Sequence, residues 1–325
     1  MKKNNLPILI IGYMRFESIL TILEECHRSG IWKVYLALDG AKSPEQFSYQ
    51  EFWLSKMLDF IEAHKMSIKV RRRKSNAGLA VAVIEGISWF FEQEEFGVIL
   101  EDDLKISPDF LAFVSAAQVK FESESKVALI SGNNYELVRE HGSVSASNYP
   151  LIWGWATWRP YWESFVTSIY NNFVPHFNHH YSLSVNGFWF SSALQSRYCF
   201  VDSWAMLFTE HFLKSDYLCI IPPCNLVSNL GVDAHAVHTN KMDQFVNFPV
   251  QTFENLSNWN LPSRDKIRAV NLNLERNVFR ISTRNLLSPL KVLMRIIFNS
   301  KRHSLAKKLE KSSQASEFIV IERKP

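Results

Sequence analysis

Within the first hundred residues, four short apolar runs alternate with segments of helical period, and that alternation confines the chain to an α/β layered fold. Pro7 to Gly12 reads as a strand, and Phe16 to Cys26 places Ile19, Leu20, Leu23 and Cys26 near helical spacing. Val34 to Leu38 is a second strand ending at Asp39-Gly40, and Glu51 to His64 a second helix. Ile68 to Arg71, Gly78 to Glu92 and Val98 to Leu100 continue the series as strand, helix and strand. The order predicts a doubly wound, mostly parallel central sheet with helices on both faces.

The fourth strand stops at three consecutive acids, Glu101-Asp102-Asp103, followed by Leu104. In an open parallel sheet the carboxyl ends of the strands border the ligand crevice. Three adjacent carboxylates repel one another unless a cation lies between them, and a divalent ion that also touches phosphate oxygens meets that need. The run therefore predicts a metal-diphosphate site. The alternative is a solvated strand end leading into a helix, with Ser107 as cap and Pro108 in its first turn.

Composition narrows the classes. With 325 residues and 47 % hydrophobic side chains the chain can bury a full core. Aromatic residues make up 14 % and cluster from Trp153 to Trp162 and from Phe188 to Trp204, as sugar-handling clefts and lipid interfaces favour. Cys26, Cys199, Cys219 and Cys224 form no Cys-x-x-Cys pair and follow no secretory leader, which predicts reduced thiols and a cytoplasmic location. No apolar run reaches the ~18 to 20 residues of a membrane span. The first strand leads into Gly12-Tyr13-Met14-Arg15, without a Gly-x-Gly-x-x-Gly fingerprint, and no Gly-Lys-Ser/Thr loop occurs. Hydride transfer and P-loop hydrolysis lose ground accordingly. Nucleic-acid signatures are also missing.

The remaining motifs extend the pattern. They are Asn76-Ala77-Gly78-Leu79-Ala80, Ser107-Pro108-Asp109-Phe110, Ser131-Gly132-Asn133-Asn134, Trp153-Gly154-Trp155-Ala156-Thr157-Trp158-Arg159, Asn225-Leu226-Val227-Ser228-Asn229 and His238-Thr239. Together with Pro7 to Arg15, Asp39-Gly40 and Glu101 to Leu104, this series resembles nucleotide-sugar glycosyltransferases of the GT-A fold. It looks closest to the bacterial family-2-like group, which includes proteins labelled haemolysin-like. More distantly it is similar to the Golgi transferase that begins hybrid N-glycans with N-acetylglucosamine. The resemblance covers roughly residues 7 to 240.

That resemblance implies a metal-dependent transfer of a sugar from a nucleoside diphosphate, UDP in the first instance, to a hydroxyl of a glycan or lipid-linked acceptor, with inversion. It implies Asp103 as direct ligand of Mn²⁺ or Mg²⁺, joined by His238, with His235 an equal candidate by chemistry. Glu101 and Asp102 would lie toward the nucleoside and behind the direct metal ligand, Asp39 at the base, and Arg15 at base or phosphates, with Asn76 and Gly78 lining the same pocket. Trp153, Gly154 and Trp155 would border the sugar, since indole faces stack on pyranose rings; an aromatic core is the other use for them. Asp202 is the candidate base and Glu210 the reserve. Relatives carry a second acid where this chain has Ala205, and Asp202 could instead cap a helix through Ser203 to Met206.

The histidines His176, His179 and His180 lack a carboxylate or cysteine at metal spacing and read as surface or packing residues. Two other functions remain in view, a metal-dependent phosphohydrolase and an inactive carbohydrate-binding protein. The reading divides the chain into a catalytic domain over 1–275, with a nucleotide-binding half over 1–104 and an acceptor and sugar half over 105–240, and a basic amphipathic helical tail over 276–325. From Arg280 onward the tail carries 11 Lys and Arg against 3 Glu, leaving the first 279 residues with 25 basic against 29 acidic. Leu290, Leu293 and Ile297 fall on one side of a predicted helix, with Lys291, Arg295 and Arg302 on another. This suits peripheral contact with an anionic inner leaflet, or a helix packed on the body with a solvated basic face.

Overall fold

The computed structural model describes residues 5–135, 142–171, 181–231, 247–253, 258–298, 304–315 and 317–324. The first half runs β1 (Ile8–Gly12), α1 (Phe16–Arg28), β2 (Lys33–Leu38), α2 (Pro44–Ala63), β3 (Ser67–Arg73), α3 (Leu79–Phe91), β4 (Phe96–Glu101), β5 (Leu104–Ile106), α4 (Phe110–Phe121) and β6 (Val127–Ser131). It continues through β7 (Ser145–Ser147), β8 (Trp155–Trp158), α5 (Arg159–Tyr170), α6 (Leu183–Arg197), α7 (Ala205–Lys214), β9 (Leu218–Ile221) and β10 (Val227–Asn229). The last elements are α8 (Arg264–Asn273), α9 (Ser288–Phe298), α10 (Leu305–Ala315) and β11 (Phe318–Arg323).

Strand side chains alternate between two apolar layers. Ile8, Ile10, Val34 and Leu36 face a layer built with α1, α2 and α4, whereas Leu9, Ile11, Tyr35 and Ala37 face one built with α3, α5, α6 and α7. Because both faces are covered, β1 is buried at every position, as its unbroken apolar sequence requires. In α1 the buried set is Phe16, Ile19, Ile22, Leu23 and Cys26, a single stripe of helical period.

The described strands form one nine-stranded sheet in the order β11-β3-β2-β1-β4-β8-β6-β9-β7, with β5 and β10 as a separate antiparallel ribbon. β3, β2, β1 and β4 are parallel, but β8 runs against both β4 and β6, and β7 and β11 are antiparallel to their neighbours. The expected mostly parallel sheet is thus a mixed one. α2 begins at Pro44, seven residues ahead of the predicted Glu51. Ser43 caps it by accepting the Gln46 N–H, with Pro44 in the first turn.

The tail is likewise not helical throughout. β11 adds an edge strand to β3, placing Glu322 opposite Lys69 and Phe318 beneath the Arg71 guanidinium, 3.6 Å from the ring centre. Leu305 and Leu309 of α10 join the second apolar layer. The tail therefore packs on the body at both its helix and its strand. Among the described residues no helix is long and apolar enough to cross a membrane.

Candidate functional site

From β1 the chain moves outward to β2 and β3, then returns to place β4 on the other side of β1. A crevice opens at such a reversal, outside the carboxyl ends of the strands. Here the two strand ends are clipped together by Asp102. Its Oδ2 accepts the Tyr13 N–H at 2.7 Å, and its Oδ1 lies 3.5 Å from Arg15 Nη1. The same Arg15 nitrogen is 3.9 Å from Asp103 Oδ2. Asp102, expected toward the nucleoside and behind the direct metal ligand, holds the turn after β1. Its burial depends on these donors.

Glu101 and Asp103 flank that clip. Burial pushes the Glu101 carboxyl up, and the charges of Asp103 and Asp102 push it further, against the opposing effect of Arg15. Burial also raises Asp103, with Asp102 adding to it, while Arg15 and the Asn229 amide act in the other direction. Among the described residues one guanidinium, that of Arg15, faces these carboxylates, an acidic strand end that favours further positive charge. Among the described residues no three His, Cys, Asp or Glu side chains are arranged as a cage for a metal ion. Mg²⁺-type sites use one or two carboxylates and complete their shell with substrate phosphates and water. The oxygen donors of Asp103 and Glu101 fit that kind of site.

The β5–β10 ribbon determines what lies beside Asp103. Asn229 Nδ2 donates to Asp103 Oδ2 at 3.3 Å, and the Leu230 N–H donates to the Asp103 carbonyl at 2.7 Å. A Cβ on Gly231 would fall 2.6 Å from Asp103 Oδ2, so only glycine leaves this carboxylate where it is. The Asn247 N–H donates to the Asn229 carbonyl at 2.8 Å. Gly231 and Asn247, the described residues on either side of 232–246, thus both donate to Asn229. His238 and His235 belong to that segment and lie outside the described residues, as do His176, His179 and His180.

The next two strand ends carry a second constellation. Asp39 is buried, and its carboxylate accepts from the Gly40 N–H at 2.8 Å, the Ala77 N–H at 2.9 Å, the Gly78 N–H at 3.2 Å and Asn76 Nδ2 at 2.8 Å. Burial raises its carboxyl, opposed by these donors and by Arg73. Asp39 and Asn76 therefore shape the loop after β3, and these hydrogen bonds are internal to the protein. Gly78 takes φ +85°, a region that favours glycine, and delivers the chain into α3.

Asp202 meets that helix start. Its Oδ2 accepts the Leu79 N–H at 2.9 Å and its Oδ1 the Ala80 N–H at 3.1 Å, satisfying two of the open amides of the first turn. The helix it caps is α3, brought from far along the chain. It is not α7, which starts at Ala205 without a side-chain cap. Glu210 stands apart within α7. Burial raises its carboxyl against Lys214 and Arg197, and it lines a small cavity with Tyr181, Trp189 and Lys214. No described contact joins Glu210 to the acidic strand end.

Of the tryptophans, Trp153 is partly exposed and Trp155 is 1 % exposed. Trp155 begins β8, stacks on Trp204 at 5.9 Å between ring centres and also meets Phe208 and Trp162. Its expected place beside the sugar is corrected to one in the core, because the inward position of a strand in a covered sheet takes a large apolar side chain. Trp153 remains available, its backbone N–H donating to Asn133 Oδ1 at 2.9 Å and its ring edge-on to Tyr135. Gly154, at φ +65°, accepts the Gly132 N–H at 2.7 Å.

Compared with protein-family models and with curated proteins, the chain matches none.

Sequence reasoning gave no role to Asn133, Asn134, Asn225 and Asn229, yet they tie these motifs together. Asn134 donates its N–H to Asn225 Oδ1 at 3.0 Å and its side-chain amide to the Pro222 carbonyl at 2.9 Å. Asn225 Nδ2 donates to the Val227 carbonyl at 2.8 Å. Buried amides need such partners, and here they fix β10 and with it Asn229 at Asp103. The signal was present as asparagines next to strand-like apolar runs.

Proposed function

We propose that this protein is a metal-dependent glycosyltransferase that moves a sugar from a nucleoside diphosphate to an acceptor hydroxyl, built on a GT-A type fold. The observation that carries the reading is the meeting of Arg15, Asp102 and Asp103 at the strand reversal between β1 and β4. The loop Asn76 to Gly78, held by Asp39, borders the next strand ends in the same sheet. Such a crevice suits a nucleotide, with a guanidinium for its phosphate oxygens.

Asp103 is the residue to hold Mn²⁺ or Mg²⁺, with Glu101 behind it. When bound, the ion supplies neutralisation of charge on the departing diphosphate. Arg15 orients phosphate oxygens from the β1 side. Asp202, exposed at the start of α3 and oriented by the Leu79 and Ala80 N–H groups, takes the proton of the acceptor hydroxyl. Trp153 offers a partly open ring to a sugar face. The donor is assigned to the UDP sugars and the product to inversion, both following the resemblance.

A second reading draws on the same Asp202 contacts, since a carboxylate that caps a helix can persist in an inactive carbohydrate-binding protein. Incubation with a panel of nucleotide sugars, with and without Mn²⁺ or Mg²⁺, separates the two. Release of nucleoside diphosphate that vanishes on chelation and returns with metal supports the transferase. Sugar binding without release from any donor supports the second reading, and release unchanged by exhaustive chelation removes the metal-dependent form.

A further inference from the structure

α9 rests on α6 through Val292, with Ile296 beside it, against Phe190, Leu194 and Tyr198. With about 100° between successive residues of a helix, Val292 and Ile296 share one side of α9. Leu290, Leu293, Met294, Ile297 and Phe298 occupy the arc opposite. All five are exposed, Leu290 by 63 %, Ile297 by 69 % and Phe298 by 77 %. With Leu287 they make six of the fifteen large apolar side chains exposed on the described residues, gathered within twelve positions. A helix docked on a body normally shows water its polar side. This one shows water an apolar arc as well as its basic Lys291 and Arg295, an exposure that a solvated basic face does not account for.

Charge selects the occupant. Lys291 is exposed at the border of the arc, and Arg280, Arg284, Lys307 and Lys308 are exposed elsewhere on the tail. No Asp or Glu occurs from Arg280 to Leu309. A second copy of the chain seated on this face would bring like charges together, whereas an anionic lipid surface receives both the apolar arc and the cations. α9 has 11 residues, a length of roughly 16 Å against the ~30 Å of a hydrocarbon core, so it fits along an interface and not across it.

We propose that α9 docks the protein on an anionic lipid bilayer, inserting Leu290, Leu293, Met294, Ile297 and Phe298 below the headgroups. The docking is independent of the reaction proposed above, because it is read without donor or acceptor. The test is sedimentation of the full chain with vesicles of phosphatidylcholine alone or mixed with phosphatidylglycerol. Binding is expected to the mixed vesicles only, falling about tenfold or more when salt is raised to about 0.5 M.

Ile297→Glu should abolish binding while thermal unfolding stays unchanged, and Lys291→Glu should weaken it without altering the apolar arc. Failure to bind mixed vesicles overturns the proposal, as does binding that Ile297→Glu leaves intact. Light scattering that shows a dimer dissolved by Ile297→Glu, together with no vesicle binding, overturns it in favour of a second copy.

Discussion

The carboxylate of Asp202 accepts the N–H of Leu79 at 2.9 Å, joining positions 123 residues apart and fixing an exposed acid to the first turn of α3. The cap and the proposed base are thus one side chain, and the two roles separate on substitution. Asp202→Asn keeps an oxygen for the Leu79 amide but turns its NH2 toward the Ala80 N–H, so it should cost less stability than removal of the side chain while lowering transfer by about 10²- to 10⁴-fold. Asp202→Ala should add a stability loss of about 0.5 to 2 kcal/mol. Unfolding curves and diphosphate release measured on both variants check this, and near-native transfer by Asp202→Asn would remove Asp202 as the base.

Asp103 gives a prediction with an internal control. Asp103→Asn should abolish turnover and remove the metal-supported part of donor binding, measured by titration calorimetry with and without Mn²⁺. Gly231→Ala replaces no proposed ligand, but its new Cβ would sit 2.6 Å from Asp103 Oδ2 and 2.7 Å from Asn229 Oδ1. The carboxylate is short and held by Asn229, so it has to move. The same loss of metal-supported donor affinity, by about tenfold or more (about 1.4 kcal/mol), is expected. Unaltered affinity in Gly231→Ala would mean that the position of Asp103 is not what the metal and donor require.

The two tryptophans flanking Gly154 should part company. Trp155 is packed by Trp204, Phe208 and Trp162, so Trp155→Ala should cost about 3 to 5 kcal/mol, seen as a lower denaturant midpoint. Trp153→Ala should cost less and should instead weaken binding of the sugar donor relative to the bare nucleoside diphosphate. Equal effects on both ligands would place Trp153 outside the sugar site.

What the sequence revealed and what it hid follow from the range of the interactions. β1 and β4 could be read because strands covered on both faces need continuous apolar residues, and Glu101 marks where that cover ends. The start of α2 was also written locally, in Ser43-Pro44, but the apolar period begins later and drew the boundary with it. β11 was hidden because its half-exposed residues acquire a strand's partners only from β3, across most of the chain. The capping alternative for Asp202 points to the helix that follows it because a helix cap is usually local, and nothing around Val201 or Ser203 announces α3. The cluster Arg15, Asp102 and Asp103 was legible as three strand-end residues, though not the contact of Asp102 with the turn after β1. That contact depends on the backbone of Tyr13, which carries no side-chain signal.

Stability should depend on pH through His211, a buried imidazole in α7 whose Nε2 lies 3.4 Å from Ser164 Oγ. Burial lowers it from 6.5 to about 4, with the charge of Lys214 acting the same way. Between these values the unfolded chain holds a proton that the folded protein does not, so stability falls as pH falls. The contribution is fully present above about 6.5 and is lost on the way to about pH 4, on the order of 3 kcal/mol. Urea unfolding at pH 7 and pH 5 should show the midpoint dropping in the native sequence. In His211→Leu, which has no proton to gain, that part of the drop should disappear, whatever its own stability at pH 7. An identical drop in the variant would assign the acid sensitivity to another group.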